Sequence, residues 1–361
     1  MSRPKLSLVL CSRNDSYMGN SRWRLETALN YVARHVHGIG RDADVEILVA
    51  DWGSDHPLRD ALRLSPAAAR LTSFIGVPSA TAKALQKDSP FAEVIALNAA
   101  VRRSTGEFIG RIDQDTLVGQ RFLTMIFEII DGKRVLPTPL AMGFSNIKTI
   151  NYRFAVRCPP ASSVELFVRW FGARLRRENW HSTAPFYQAG VGIWLLRREV
   201  WAECGGYDER MIYMNDMETN MTRRLLPRYA MVNLGEMCDY DFYHLEHYHP
   251  WVQRLSRIYR KVNNDPQFAR PDSINPNGET WGLKDYNLEV VPAVGHANAD
   301  SGLSGGHPTL RFLILLVRIL PVMTLDRVGL TARRQVFRVQ RLWRRITKHA
   351  RPGQSTQPRS S

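Results

Sequence analysis

Cysteine is scarce in this chain of 361 residues, and no long uncharged apolar run occurs in it. The four cysteines, Cys11, Cys158, Cys204 and Cys238, are widely spaced and form no CxxC pair. That argues against a disulfide framework or a cysteine zinc site, and makes a reducing cytosol the expected home. The N-terminal stretch MSRPKLSLVLCSRND offers about six apolar residues before polar chemistry starts, too few for a secretory h-region, so it reads as a first strand. The most apolar segment, LRFLILLVRILPVM at 310–323, contains Arg311 and Arg318 and is stopped by Pro321. It falls short of the roughly 20 residues a spanning helix needs. Acidic residues are also outnumbered, giving a net charge of +15, but the excess is local. From His307 to Ser361 twelve Lys/Arg face one acid, Asp326, for +11, which leaves +4 for everything before it. With 44% hydrophobic and 23% charged residues, the bulk of the chain is globular rather than disordered.

What is present in the first half is alternation of strand and helix. KLSLVLCS (5–12), DVEILVADWGSD (44–55) and LTSFIGV (71–77) are short β-rich runs. Between the first two, Trp23, Leu25, Leu29, Val32 and Val36 recur at helical spacing. PFAEVIALNAAVRRST (90–105) reads as a helix that leads into the strand EFIGRID. This order predicts an α/β fold with a doubly wound, mostly parallel sheet. Ligands then bind outside the carboxyl ends of the strands, where Ser12, Asn14, Asp51, Asp113 and Asp115 fall. Farther on, the run from Phe186 to Glu209 reads as a Gly-lined strand, a helix and a turn, and NDMETNMTRRLL (215–226) as a helix opening.

Asp113-Gln114-Asp115 closes an apolar strand with two like charges one residue apart. Ionising both is unfavourable unless a cation or a ligand donor neutralises them. A divalent ion such as Mn²⁺ or Mg²⁺, together with a diphosphate, would do so. Four segments in order, LVLCSRND, VEILVADWGSD, ALNAAVRRSTGEFIGRIDQD and GGYDERMIYMNDMETNMTRRL, resemble a family-2-type glycosyltransferase of the GT-A fold, over most of residues 5–250. The resemblance implies a metal-dependent inverting transfer of a sugar from a nucleotide-sugar, UDP-sugar first, to a hydroxyl of a glycan or lipid-linked glycan. It implies donor contacts at Ser12, Asn14, Asp51, Asn98 and Asp113, and metal ligation by Asp115 and Asp113. The catalytic base would be Asp216, or Glu218 if the register slips, since Asn215 stands where the family often has Glu.

Histidines add to the metal expectation. In DFYHLEHYHP, His244 and His247 are three apart, and neutral imidazole suits a transition metal. The similarity favours His247 as a further ligand, with His244 as alternative. Gly190 and Gly192 in QAGVG would let backbone approach an acceptor sugar, and Trp180 would stack on it. Residues 251–306 are rich in Asn, Asp, Pro and Gly, and read as a loop-rich acceptor-side extension. In 307–350, Val336, Val339, Trp343 and Ile346 share one helical face and Arg334, Arg338, Arg341 and Arg345 the other. That is the pattern of a helix on an anionic bilayer surface, so a cytoplasmic protein, peripheral on the inner face of the membrane, is expected rather than a nucleic-acid binder. Residues 351–361 read as a disordered tail. A sugar nucleotidyltransferase is the alternative enzyme, but no Gly-rich phosphate loop with following Arg and Lys stands near the N-terminus.

Overall fold

The computed structural model describes residues 4–16, 19–136, 140–146, 148–150, 152–175, 192–213, 217–247, 265–297 and 299, with Leu310, Leu313, Ile314 and Val317 beyond them. The chain divides into two units, Met1–Pro308 and Thr309–Ser361. In the first, the strands are β1 (Leu6–Ser12), β2 (Val45–Trp52), β3 (Thr72–Val77), β4 (Phe108–Arg111), β5 (Thr116–Val118), β6 (Leu140–Asn146), β7 (Lys148–Ile150), β8 (Gly192–Arg197), β9 (Ala230–Asn233), β10 (Phe242–Leu245) and β11 (Val290–Pro292). Among the described residues the helices longer than six residues are α1 (Ser21–Gly38), α2 (Ser79–Gln86), α3 (Glu93–Arg103), α4 (Gln120–Ile130), α5 (Ala161–Phe171), α6 (Arg198–Cys204) and α7 (Met217–Leu225).

Eight strands form the main sheet in the order β11-β3-β2-β1-β4-β8-β6-β9. The centre, β3-β2-β1-β4, is parallel. β8 is antiparallel to both its neighbours, β6 and β9 are parallel, and β11 closes the other edge antiparallel to β3. The strands are apolar on both faces because helices cover both. Leu6, Leu8 and Leu10 of β1 point to one side, with α1 and α4 residues such as Leu25, Leu29, Phe122 and Ile126. Val9 points to the other, against Leu97 and Val101 of α3 and Trp201 of α6. The period-two alternation of the strand thus splits the core into two layers.

A second sheet, β5-β10-β7, is built on the turn after β4. β10 runs antiparallel to β5 with His244 opposite Thr116, and Leu245 N–H donates to the Asp115 carbonyl at 2.9 Å. This pairing joins two segments more than a hundred residues apart.

The described part of 251–306 is stitched onto the main sheet and α3. β11 extends the main sheet, and Arg103 donates to the carbonyls of Gly282, Leu283 and Tyr286 at 2.8–3.0 Å. Arg102 donates to the Trp281 carbonyl and stacks over its ring, 4.9 Å from the centroid. In the second unit Leu310, Leu313, Ile314 and Val317 are helical and exposed. No helix among the described residues is long and apolar enough to cross a membrane.

Candidate functional site

The site grows from the carboxyl end of β4. Ile112 N–H still bonds the Val9 carbonyl of β1, and Thr116 N–H closes a turn onto the Asp113 carbonyl at 3.1 Å. Asp113, Gln114 and Asp115 therefore sit on a short turn between two sheets. Asp115 is only 4% exposed. Its carboxylate accepts from Arg24 of α1, which is fully buried. The Nε2 of His244 lies 3.5 Å from its Oδ1 and the Nε2 of His247 lies 3.3 Å from its Oδ2. Burial opposes ionisation of Asp115, but His244, Arg24 and His247 outweigh it and hold the carboxyl well below the usual range.

Asp113 is turned to a different partner. Arg111, in β4 and 3% exposed, holds its Oδ1 at 2.8 Å, Glu93 at 2.8 Å and Glu218 at 3.4 Å. Glu93 and Glu218 stand in the first turns of α3 and α7, where the helix dipole favours an anion. Three carboxylates from three elements thus share one guanidinium. Burial, only partly offset by Arg111, raises Asp113 to about 6 and Glu218 to about 7. The Tyr207 hydroxyl, in the same electrostatic neighbourhood, is buried without a hydrogen-bond partner among the described residues.

One carboxylate oxygen and two imidazole nitrogens lie here within 4.8 Å of one another. Such a mixed O/N donor set fits a transition-type divalent ion such as Mn²⁺ better than a site made of oxygens alone. Asp113, also expected as a ligand, is not among these three, and its Oδ1 is paired with Arg111.

The other expected residues divide. The Ser12 hydroxyl, at the end of β1, donates to Gln114 Oε1. Asn14 braces the turn after β2, its N–H to Ser54 Oγ and its Nδ2 to the His56 carbonyl, both at 2.8 Å. Asp51 is 5% exposed and accepts from the Ser54 hydroxyl and, at 2.7 Å, from Leu58 N–H. Burial raises its carboxyl. Asn98 is wholly buried in α3 and spends its amide inside the protein. Its Nδ2 donates to the Tyr207 carbonyl (2.8 Å) and Glu209 Oε1 (3.0 Å), and its Oδ1 accepts from Tyr207 N–H (2.8 Å). These bonds make it a clasp between helix and loop. Gly192 opens β8. Asp216, Trp180 and Gly190 lie outside the described residues.

Arg24, Arg111 and Glu93 were not anticipated. Arg111 carries a visible signal, a charge inside an otherwise apolar strand two residues before the turn. Arg24 carries none, because it flanks the apolar stripe of α1 in a sequence rich in arginine.

No protein-family model matches the chain, and no curated protein matches it. Solved structures do. Against the 1-349 fragment of S. aureus TarS the identity is 14% with a TM-score of 0.39, covering 67% of this chain and 60% of that one. The chain therefore spans 60% of the length of that fragment. Against Drosophila β1,4-galactosyltransferase 7, in complex with manganese, UDP-Gal and xylobiose, the identity is 12% with a TM-score of 0.41, covering 74% and 79%.

Proposed function

We propose that the chain is a divalent-metal-dependent, inverting glycosyltransferase that moves a sugar from a nucleotide-sugar, UDP-sugar first, to a hydroxyl of a glycan or lipid-linked glycan. One observation carries the reading. A metal-type donor set of Asp115, His244 and His247 is built on the turn whose Asp113 shares Arg111 with a carboxylate, Glu218, and a pKa of about 7 suits that carboxylate to a general base. Both lie where a doubly wound sheet presents ligands, beyond the carboxyl ends of its parallel strands.

In this reading Asp115, His244 and His247 hold Mn²⁺ or Mg²⁺. The ion, when bound, supplies positive charge beside the departing diphosphate. Ser12, Asn14 and Asp51 line the nucleotide side. Glu218 accepts the proton of the acceptor hydroxyl as its oxygen forms a bond to the anomeric carbon. The bond from that carbon to the diphosphate breaks, and the nucleoside diphosphate leaves with the electron pair. Glu218 is assigned the base role here because it joins the cluster at Arg111, with Asp216, two positions before it in the sequence, as the other candidate. Gly190, Gly192 and Trp180 belong to the acceptor side.

The test is a set of UDP-, GDP- and dTDP-sugars offered to the purified protein with Mn²⁺, read by calorimetry and by release of nucleoside diphosphate. Uptake of one nucleotide class only when metal is present is expected. No uptake of any, with metal, overturns the assignment. A second reading concerns the basic second unit: exposed Leu310, Leu313, Ile314 and Val317 follow i, i+3, i+4, i+7 spacing beside the twelve Lys/Arg, which favours an anionic membrane surface as partner.

A further inference from the structure

Arg111 touches the two halves of the candidate site at once. Its Nη2 meets Asp113 on the metal-side turn, Glu218 on α7 and Glu93 at the start of α3. All three meet the same terminal nitrogen, Nη2, which a rigid planar group with a permanent charge holds in place as a flexible lysine stem would not. The group is 3% exposed, so its three ion pairs are little screened by water. Other charged or titratable groups face it from neighbouring elements, Cys11 from β1 and Tyr207 from the loop after α6.

We propose that Arg111 is a positioning residue that registers the base Glu218 against the Asp113-Gln114-Asp115 turn, so that acceptor activation and donor placement share one rigid hub. The proposal rests on the glycosyl-transfer reading. Arg111 itself touches no reacting atom. It acts through Glu218 and Asp113, and Glu93 is the third carboxylate that holds the same nitrogen in place. A ~1 Å displacement of a catalytic group costs roughly 10²-fold in rate. Loss of the guanidinium should therefore fall on transfer and spare donor uptake.

The full chain and its variants Arg111→Lys, Arg111→Met, Glu93→Gln, Glu218→Gln and the double Arg111→Lys/Glu218→Gln would be compared, with Mn²⁺ and the nucleotide-sugar that the calorimetric screen selects. Arg111→Lys should keep nucleotide-diphosphate affinity within roughly threefold while kcat for transfer falls by roughly 10²-fold. The double variant should be no slower than Glu218→Gln alone, because the two residues act as one unit. Removing the cation in Arg111→Met should move the acid limb of the kcat profile to higher pH, and Glu93→Gln should move it lower, since Arg111 lowers and Glu93 raises the Glu218 carboxyl. Should Arg111→Met not fold, Arg111→Lys and Glu93→Gln still decide. Multiplying rate losses in the double variant, or unmoved limbs with only a lower Tm, would make Arg111 a structural ion pair and sink the proposal. A wild-type protein that neither binds nor transfers any donor fails one level earlier, at the functional reading.

Discussion

Each carboxylate of the Asp113-Gln114-Asp115 turn has its own arginine, Arg111 for Asp113 and Arg24 for Asp115. The like-charge cost that a bound ion was expected to relieve is met at Asp115 and only in part at Asp113, whose carboxyl stays raised to about 6. At this scale the metal reading makes a direct prediction. His247→Ala and Asp115→Asn should each abolish the rise in Tm that Mn²⁺ plus nucleotide gives the wild type, and an undiminished rise would remove the residue from the site. Glu218→Gln should lower transfer by roughly 10²–10⁴-fold with the fold retained, the range expected for a general base. It should also change the pH dependence of stability. The folded pKa of Glu218, about 7, lies above its ordinary 4.5. Its contribution is therefore fully present below pH 4.5 and fades as pH rises through 7, an effect on the order of 3 kcal/mol at most. Between about pH 5 and 8 the wild-type Tm should fall relative to that of Glu218→Gln. Parallel curves would show that the carboxyl is not held above its normal range.

At the scale of elements, the decisive contact is β10 on β5. Thr116 follows Asp115 directly, and its pairing with His244 sets the imidazoles against the turn. The strand lengths and apolar runs of β1, β2 and β3 were legible as periodicity, but a pairing between strands of three and four residues was not. The same holds for the clasp around Asn98. Gly206 has φ +72°, and a Cβ placed there would lie 2.2 Å from Asn98 Oδ1. Gly206→Ala should lower stability by about 1–3 kcal/mol through backbone strain alone. Asn98→Ala, which leaves a buried Tyr207 N–H without its acceptor, should cost about 1–3 kcal/mol. Urea unfolding measures both. A neutral Asn98→Ala would mean that the loop from Gly205 to Glu209 is held by Asn277, Arg224 and the core, and not by this amide.

For the whole molecule, charge is divided between a nearly neutral body and a strongly basic second unit. If that unit meets anionic lipid, the full chain should sediment with phosphatidylglycerol vesicles at low salt and release as the Debye length shrinks from about 30 Å at 0.01 M to about 8 Å at 0.15 M. Removal of residues 307–361 should end the association while nucleotide uptake persists. Equal sedimentation of the truncated chain would place any lipid contact elsewhere.

The alternation of strand and helix up to the aspartate turn, and the position of that turn, were readable in one dimension, because local periodicity and turn chemistry depend on neighbours a few residues away. So was the separation of the basic unit, since charge is a property of composition. What joined Asp115 to His244, Arg24 to Asp115, and Glu93 and Glu218 to Arg111 is contact across 18 to more than 120 residues of chain. Such contacts are settled by strand pairing and by which helix end meets which strand end, and neither leaves a local trace.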